Sequence, residues 1–182
     1  MNHNTHPLLS SLSLILIALL SLCSCTKTEE IDKLPPITTS GNNTFGCLVD
    51  GKAWIPKTDG GLFNEKMTVR YENRGLSIQA NLRINNETTW QIVYVDVDFD
   101  DLGVYQIPSP PYPGDMFINL KNKPIDSKTC TRYICTPEDT EIEILYISAA
   151  KRIIAGTFSY KNLTNECGDV VNITDGRFDV HY

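Results

Sequence analysis

Two patterns of apolar residues divide the chain. Leu8 to Leu22 is an uninterrupted run without charge, built from Leu, Ile, Ala and Ser. It is short for a bilayer-spanning helix, which needs about 20 apolar residues, and suits the apolar region of a signal peptide. From Phe45 onward the period changes to two, the repeat of a half-buried strand. Candidate strands are Phe45 to Val49, Lys52 to Ile55, Met67 to Tyr71, Leu76 to Leu82, Trp90 to Phe99, Val104 to Ile107, Met116 to Leu120, Glu141 to Ser148, Ile153 to Tyr160, Val170 to Thr174 and Arg177 to Tyr182. Asp50-Gly51 supplies a two-residue hairpin turn, because both positions of such a turn need positive φ. Glu72-Asn73-Arg74-Gly75, Asn85-Asn86 and Asp175-Gly176 read as further turns.

In the strand from Trp90, Val93, Val95, Val97 and Phe99 share the face that enters the core, while Tyr94, Asp96, Asp98 and Asp100 share the other. In the strand from Glu141, Ile142, Ile144 and Tyr146 form one face. The other begins with Glu141 and Glu143 and turns apolar at Leu145 and Ile147, which predicts a second half covered on both sides. No long helical period follows Leu22. The expected fold is all-β: a single antiparallel β-sandwich or barrel-like domain of about nine to eleven short strands, spanning residues 45–182.

Ser24-Cys25 closes the N-terminal run. A small residue before a cysteine at this place resembles a lipobox, in which the thiol is diacylated and the chain is cut before it; Cys23 follows the bulky Leu22 and fits less well. Residues 1–24 are thus expected to be a lipoprotein signal peptide and Cys25 the lipidated N-terminus, although Met1 to Pro7 carries no Lys or Arg. Residues 25–44 are expected to be a flexible tether, because Thr26 to Thr44 is polar and holds Pro35-Pro36. Its r.m.s. reach would be roughly 24 Å. Glu29 and Glu30 resemble the acidic signal that sends some Bacteroidota lipoproteins to the cell surface, so an outer-membrane, surface-exposed position is expected.

The 182 residues are 41% hydrophobic and carry 22 acidic against 16 basic side chains, a net charge of -6. A packed core is affordable in composition, and nucleic acid is a poor partner for such a surface.

Besides Cys25, the cysteines at 47, 130, 135 and 167 make an even set, which outside the cytoplasm suggests disulfides. Cys130 and Cys135 are close enough in sequence for a local bridge, leaving Cys47 for Cys167. One Cys-x4-Cys pair with only His181 to assist is a poor zinc site. Asp96-Val97-Asp98-Phe99-Asp100-Asp101 begins like a calcium loop, but Asp101 stands where its glycine belongs and Ile107 where its closing glutamate belongs. Carboxylate pairs for glycoside hydrolysis can be drawn from these aspartates with Glu141 or Glu143, as in any acidic protein. His181 alone survives processing, and no nucleophile elbow or phosphate-binding glycine loop is present. Pro108 to Gly114 reads as a stiff loop, and Trp54 and Trp90 read as core or edge residues. No catalytic residue, metal or cofactor is expected.

The end of the chain, Ile153-Ile154-Ala155-Gly156-Thr157-Phe158-Ser159-Tyr160 followed by Gly168-Asp169-Val170-Val171 and Ile173-Thr174-Asp175-Gly176-Arg177-Phe178-Asp179-Val180, resembles the closing hairpins of an uncharacterised family of Bacteroidota lipoproteins. Thr44-Phe45-Gly46-Cys47-Leu48-Val49-Asp50-Gly51-Lys52-Ala53-Trp54 is similar to that family's first hairpin; Cys130 and Cys135 depart from its pattern. The resemblance implies a β-rich cell-envelope domain and no activity. The expected function is a non-enzymatic binding or structural module, held on a membrane by its lipid, with a protein or glycan partner. The alternative is a barrel-type carrier of a small apolar ligand or, more remotely, an accessory to a carbohydrate-active enzyme.

Overall fold

The computed structural model describes residues 26–57, 65–83, 90–106, 118–119, 132–134 and 136–182. Among them are eleven strands: β1 (Thr44–Val49), β2 (Lys52–Trp54), β3 (Met67–Glu72), β4 (Gly75–Arg83), β5 (Trp90–Asp98), β6 (Gly103–Tyr105), β7 (Ile118–Asn119), β8 (Arg132–Ile134), β9 (Thr140–Ser148), β10 (Ile153–Asn165) and β11 (Val170–His181). A short helix, α1 (Thr26–Ile31), precedes them. The all-β expectation holds. The hydrogen-bonded order is β2-β1-β11-β10-β8-β7-β5-β4-β3, with β9 on β10 and β6 on β9.

One long strand builds both layers. Residues Ile153 to Tyr160 of β10 lie between β9 and β11, whereas Thr164 and Asn165 pair with β8. Register shifts between Phe158 and Leu163 bend the strand between these stretches. The first layer is therefore β6-β9-β10-β11-β1-β2, and the second runs from β10 through β8, β7, β5 and β4 to β3. Between them Val93, Val95, Val97 and Phe99 are buried as their alternation requires, against Ile142, Ile144, Phe158, Tyr160 and Phe178. Asp50 and Gly51 turn β1 into β2 with φ of 46° and 78°, and Asn73 and Arg74 do the same between β3 and β4.

Three expectations need correction. Asp175-Gly176 is not a turn: β11 runs through it, with Asp175 at φ 54° taking up a register shift against β1. The apolar turn of phase at Leu145 is a bulge, and Leu145, Tyr146 and Ile147 are each half-buried rather than fully buried on both faces. Gly156 pairs with Ile144 but Ala155 pairs with Tyr146, so Leu145 is the extra residue of a bulge that returns Ile147 to the core side. The third concerns the segment before β1. From Leu34 on it is not a freestanding tether: Leu34 is buried, and Pro35 lies over Gly46, where a Cβ would stand 2.9 Å from its Cδ.

The closing hairpin explains its own motif. Gly156 sits opposite Phe178 and Gly176 opposite Phe158, so each glycine leaves the space that the facing ring fills. A Cβ on Gly176 would stand 2.5 Å from the Phe158 carbonyl oxygen and 2.7 Å from its ring. Phe45 packs on Phe158 with ring centroids 5.1 Å apart and meets Trp54 edge-on, which ties the first hairpin to the last.

Candidate functional site

The segment Lys33–Asn43, here the strap, crosses the outer face of the first layer and organises the clefts beside it. Alternation along β11 sends Phe178 and Val180 into the core and Asp179 outward, under the strap. Asp179 is nonetheless only 1% exposed. Its Oδ2 accepts from the Thr38 hydroxyl at 2.6 Å, the Ser40 amide at 3.0 Å and the Asn42 amide at 3.2 Å, while Oδ1 accepts from the Gly41 amide at 2.7 Å. Burial alone would raise the Asp179 pKa; these four donors outweigh it and hold the carboxyl below its usual range. Gly41 takes φ 74° against the His181 ring, which leaves no room for a side chain there.

Other bonds fasten both ends of the strap. Arg177 Nη1 donates to the Pro35 carbonyl at 3.2 Å, and the His181 amide donates to Asn43 Oδ1 at 3.0 Å. Upstream, Glu30 Oε2 accepts from the Ala53 amide of β2 at 2.8 Å, and Lys33 pairs with its other oxygen. The bond to Lys33, then that from Ala53, lowers the Glu30 pKa.

On one side of the strap lies a mainly apolar cleft of about 250 Å³, lined by Pro35, Phe45, Ile55, Pro56 and Met67, with Lys33 and Lys66 among its walls. On the other lies a polar groove of about 260 Å³, where Glu141, Thr157, Ser159, Asp175 and Arg177 meet the strap's exposed Ile37. Strand pairing is what assembles both, and no local motif marks either.

The residues singled out in the sequence do not converge. Asp96 and Asp98 lie on the outer face of the second layer and Glu141 and Glu143 on that of the first, so the core separates the proposed carboxylate pairs. Partial burial, then the neighbouring Asp98, raises the Asp96 pKa. Asp100 is paired with Arg74. Among the described residues no group of three or more His, Cys, Asp or Glu gathers to hold a metal. Trp54 is a buried core residue.

Cys47 faces the core, fully buried, and is a free thiol whose pKa burial pushes up. This overturns its pairing with Cys167: alternation turns Cys47 into the core, whereas Cys167 sits in the turn joining β10 to β11. Cys167 is disulfide-bonded. Its turn is held by Asn165, whose Oδ1 accepts from the Cys167 amide at 3.0 Å and the Asp169 amide at 2.9 Å. Cys130, Cys135 and the lipidation candidate Cys25 lie outside the described residues, as does Pro108 to Gly114. Among the described residues no helix is long and apolar enough to cross a membrane. Compared with known proteins, the chain matches no family model, no curated protein and no solved structure.

Proposed function

We propose that this chain is a lipoprotein of the outer membrane, anchored through Cys25, whose β-domain is a non-catalytic binding or structural module. The observation that carries the reading is the strap. Only five positions separate Cys25 from Glu30, the first side chain clamped to β2, and α1 occupies most of that interval. A helix rises about 1.5 Å per residue, so the interval amounts to less than about 10 Å, far under the reach of a flexible tether. Such an arrangement suits a domain held close against a surface in one orientation. Glu29 and Glu30 support display on the cell surface; Glu30 also has a structural task in the clamp. The scattered carboxylates and the His181 ring packed on the strap favour binding over chemistry.

A second reading, a carrier of a small apolar ligand, draws on the apolar cleft. The space between the layers is filled by Phe45, Phe158, Tyr160 and Phe178, so a ligand would sit at the surface beside the strap.

Fractionation of cells expressing Cys25→Ala tests the anchor. The variant is expected to leave the membrane fraction or to remain unprocessed, while Cys23→Ala behaves as the parent. A Cys25→Ala protein that is processed and still sediments with outer membrane contradicts the reading. Protease added to intact cells distinguishes display from a periplasmic orientation.

A further inference from the structure

We infer that the apolar cleft beside the strap seats the phosphate headgroup and first methylenes of an anionic phospholipid. The inference rests on the membrane-anchored reading and adds a ligand to it. Three observations point the same way. The first is chemistry: Phe45, Ile55, Pro56, Met67 and Pro35 give an apolar floor and walls, and Lys33 and Lys66 supply two ammonium groups. Apolar lining beside two lysines matches an amphiphile with an anionic head, whereas a neutral sugar would use only one half of that lining.

The second is electrostatic availability. Lys66 makes no ion pair among the described residues, and Lys33 is 59% exposed in its pair with Glu30. Since Glu30 keeps a second bond, from the Ala53 amide to its other oxygen, Lys33 can turn to a phosphate without leaving Glu30 unbonded. The third is position and size. Lys33 lies eight residues beyond Cys25, with α1 filling much of the gap, so the chain between the proposed anchor and the cleft is short. Its volume of about 250 Å³ is below that of common small-molecule sites, about 300–1,000 Å³, and so admits one end of a lipid rather than a whole ligand.

The test is a calorimetric titration of the full chain, in neutral detergent, with water-soluble dihexanoyl phosphatidylglycerol. Dihexanoyl phosphatidylcholine is the neutral-headgroup arm and inorganic phosphate the free-anion arm. Saturable binding of phosphatidylglycerol is expected, with phosphatidylcholine and phosphate at least about tenfold weaker. Lys33→Ala with Lys66→Ala should weaken it about twenty-five-fold, about fivefold for each lysine near an anionic lipid. Both side chains are exposed, and an unchanged melting temperature confirms that the double variant is folded. Equal affinity for the two lipids, or an unaltered affinity in the folded double variant, overturns the inference. Phosphate binding as tight as the lipid overturns it in favour of a free-anion site. Repeating the titration on Cys25→Ala keeps the two claims apart, since the cleft is tested there whether or not Cys25 carries the anchor.

Discussion

Asp179 and Asp96 both point away from the core, one on each layer, and their surroundings drive them in opposite directions. Asp179 lies under the strap, where four donors surround its carboxylate and lower its pKa. Asp96 lies on the open face of β5 opposite Ser77, where partial burial and Asp98 raise its pKa. The difference shows that an acidic residue on an outer strand face is not in itself a solvated surface charge. What covers the face decides, and here the cover comes from a segment nearly 140 residues away in sequence.

The sharpest way to break the contrast is to disturb the hairpin that carries Asp179. Gly176→Ala should cost about 3 kcal/mol in urea unfolding, because its Cβ must displace Phe158 backbone and ring atoms rather than the end of a flexible side chain. A loss under about 1 kcal/mol would mean that the hairpin yields easily.

Asp179→Ala should cost about 2 kcal/mol, since three backbone amides and a hydroxyl lose their acceptor. Its pH dependence has a definite sign. The folded pKa is lowered, so the carboxylate's contribution is fully present above the unfolded value of about 3.9 and is lost as pH falls through the folded value. The gap between parent and Asp179→Asn should therefore be constant near neutrality and close only below about pH 4. A gap that closes between pH 5 and 7 would contradict the cage.

These sites differ in how far the sequence discloses them. The alternation of Val93, Val95 and Val97 and the Asp50-Gly51 turn are local signals, and the structure follows both. Bulges are harder, because one extra residue at Leu145 reverses the inward phase of everything after it, and periodicity reads such a reversal as double burial. The strap is harder still. Leu34 stands between Ile31 and Ile37 in an otherwise polar, proline-bearing segment, and its burial beside Gly46 depends on a strand assembled elsewhere. Both clefts arise from that same distant pairing. The proposed anchor at Cys25, by contrast, rests on linear sequence alone, and it lies outside the described residues.

The thiols sharpen the contrast between covered and uncovered positions. Cys47 should resist alkylation in the native protein and react once unfolded, and Cys47→Ser should cost about 1 kcal/mol by placing a hydroxyl in the core. Because Cys47 is free, mass spectrometry of the mature domain should find one disulfide, containing Cys167, and a mass about two units below the reduced form. A peptide linking Cys47 to Cys167 would contradict the structure.

The smallest effect belongs to the open face. Asp96→Asn should change stability by less than about 0.5 kcal/mol. The raised folded pKa sets the sign: the charged form is disfavoured in the folded state, so the variant is slightly the more stable at neutral pH and the difference fades as pH falls through that pKa. Calcium should leave the melting temperature of parent and Asp96→Asn/Asp98→Asn alike. A rise of several degrees confined to the parent would make this strand a metal site.

The central claim is that the strap belongs to the folded domain, and amide hydrogen exchange at Ser40, Gly41 and Asn42 tests it most directly. Their bonds to Asp179 predict protection comparable to that of β11 in the parent, lost at these three amides in Asp179→Asn while β11 stays protected. Exchange at the rate of an unstructured chain in the parent would show the segment to be a free tether and would contradict the account.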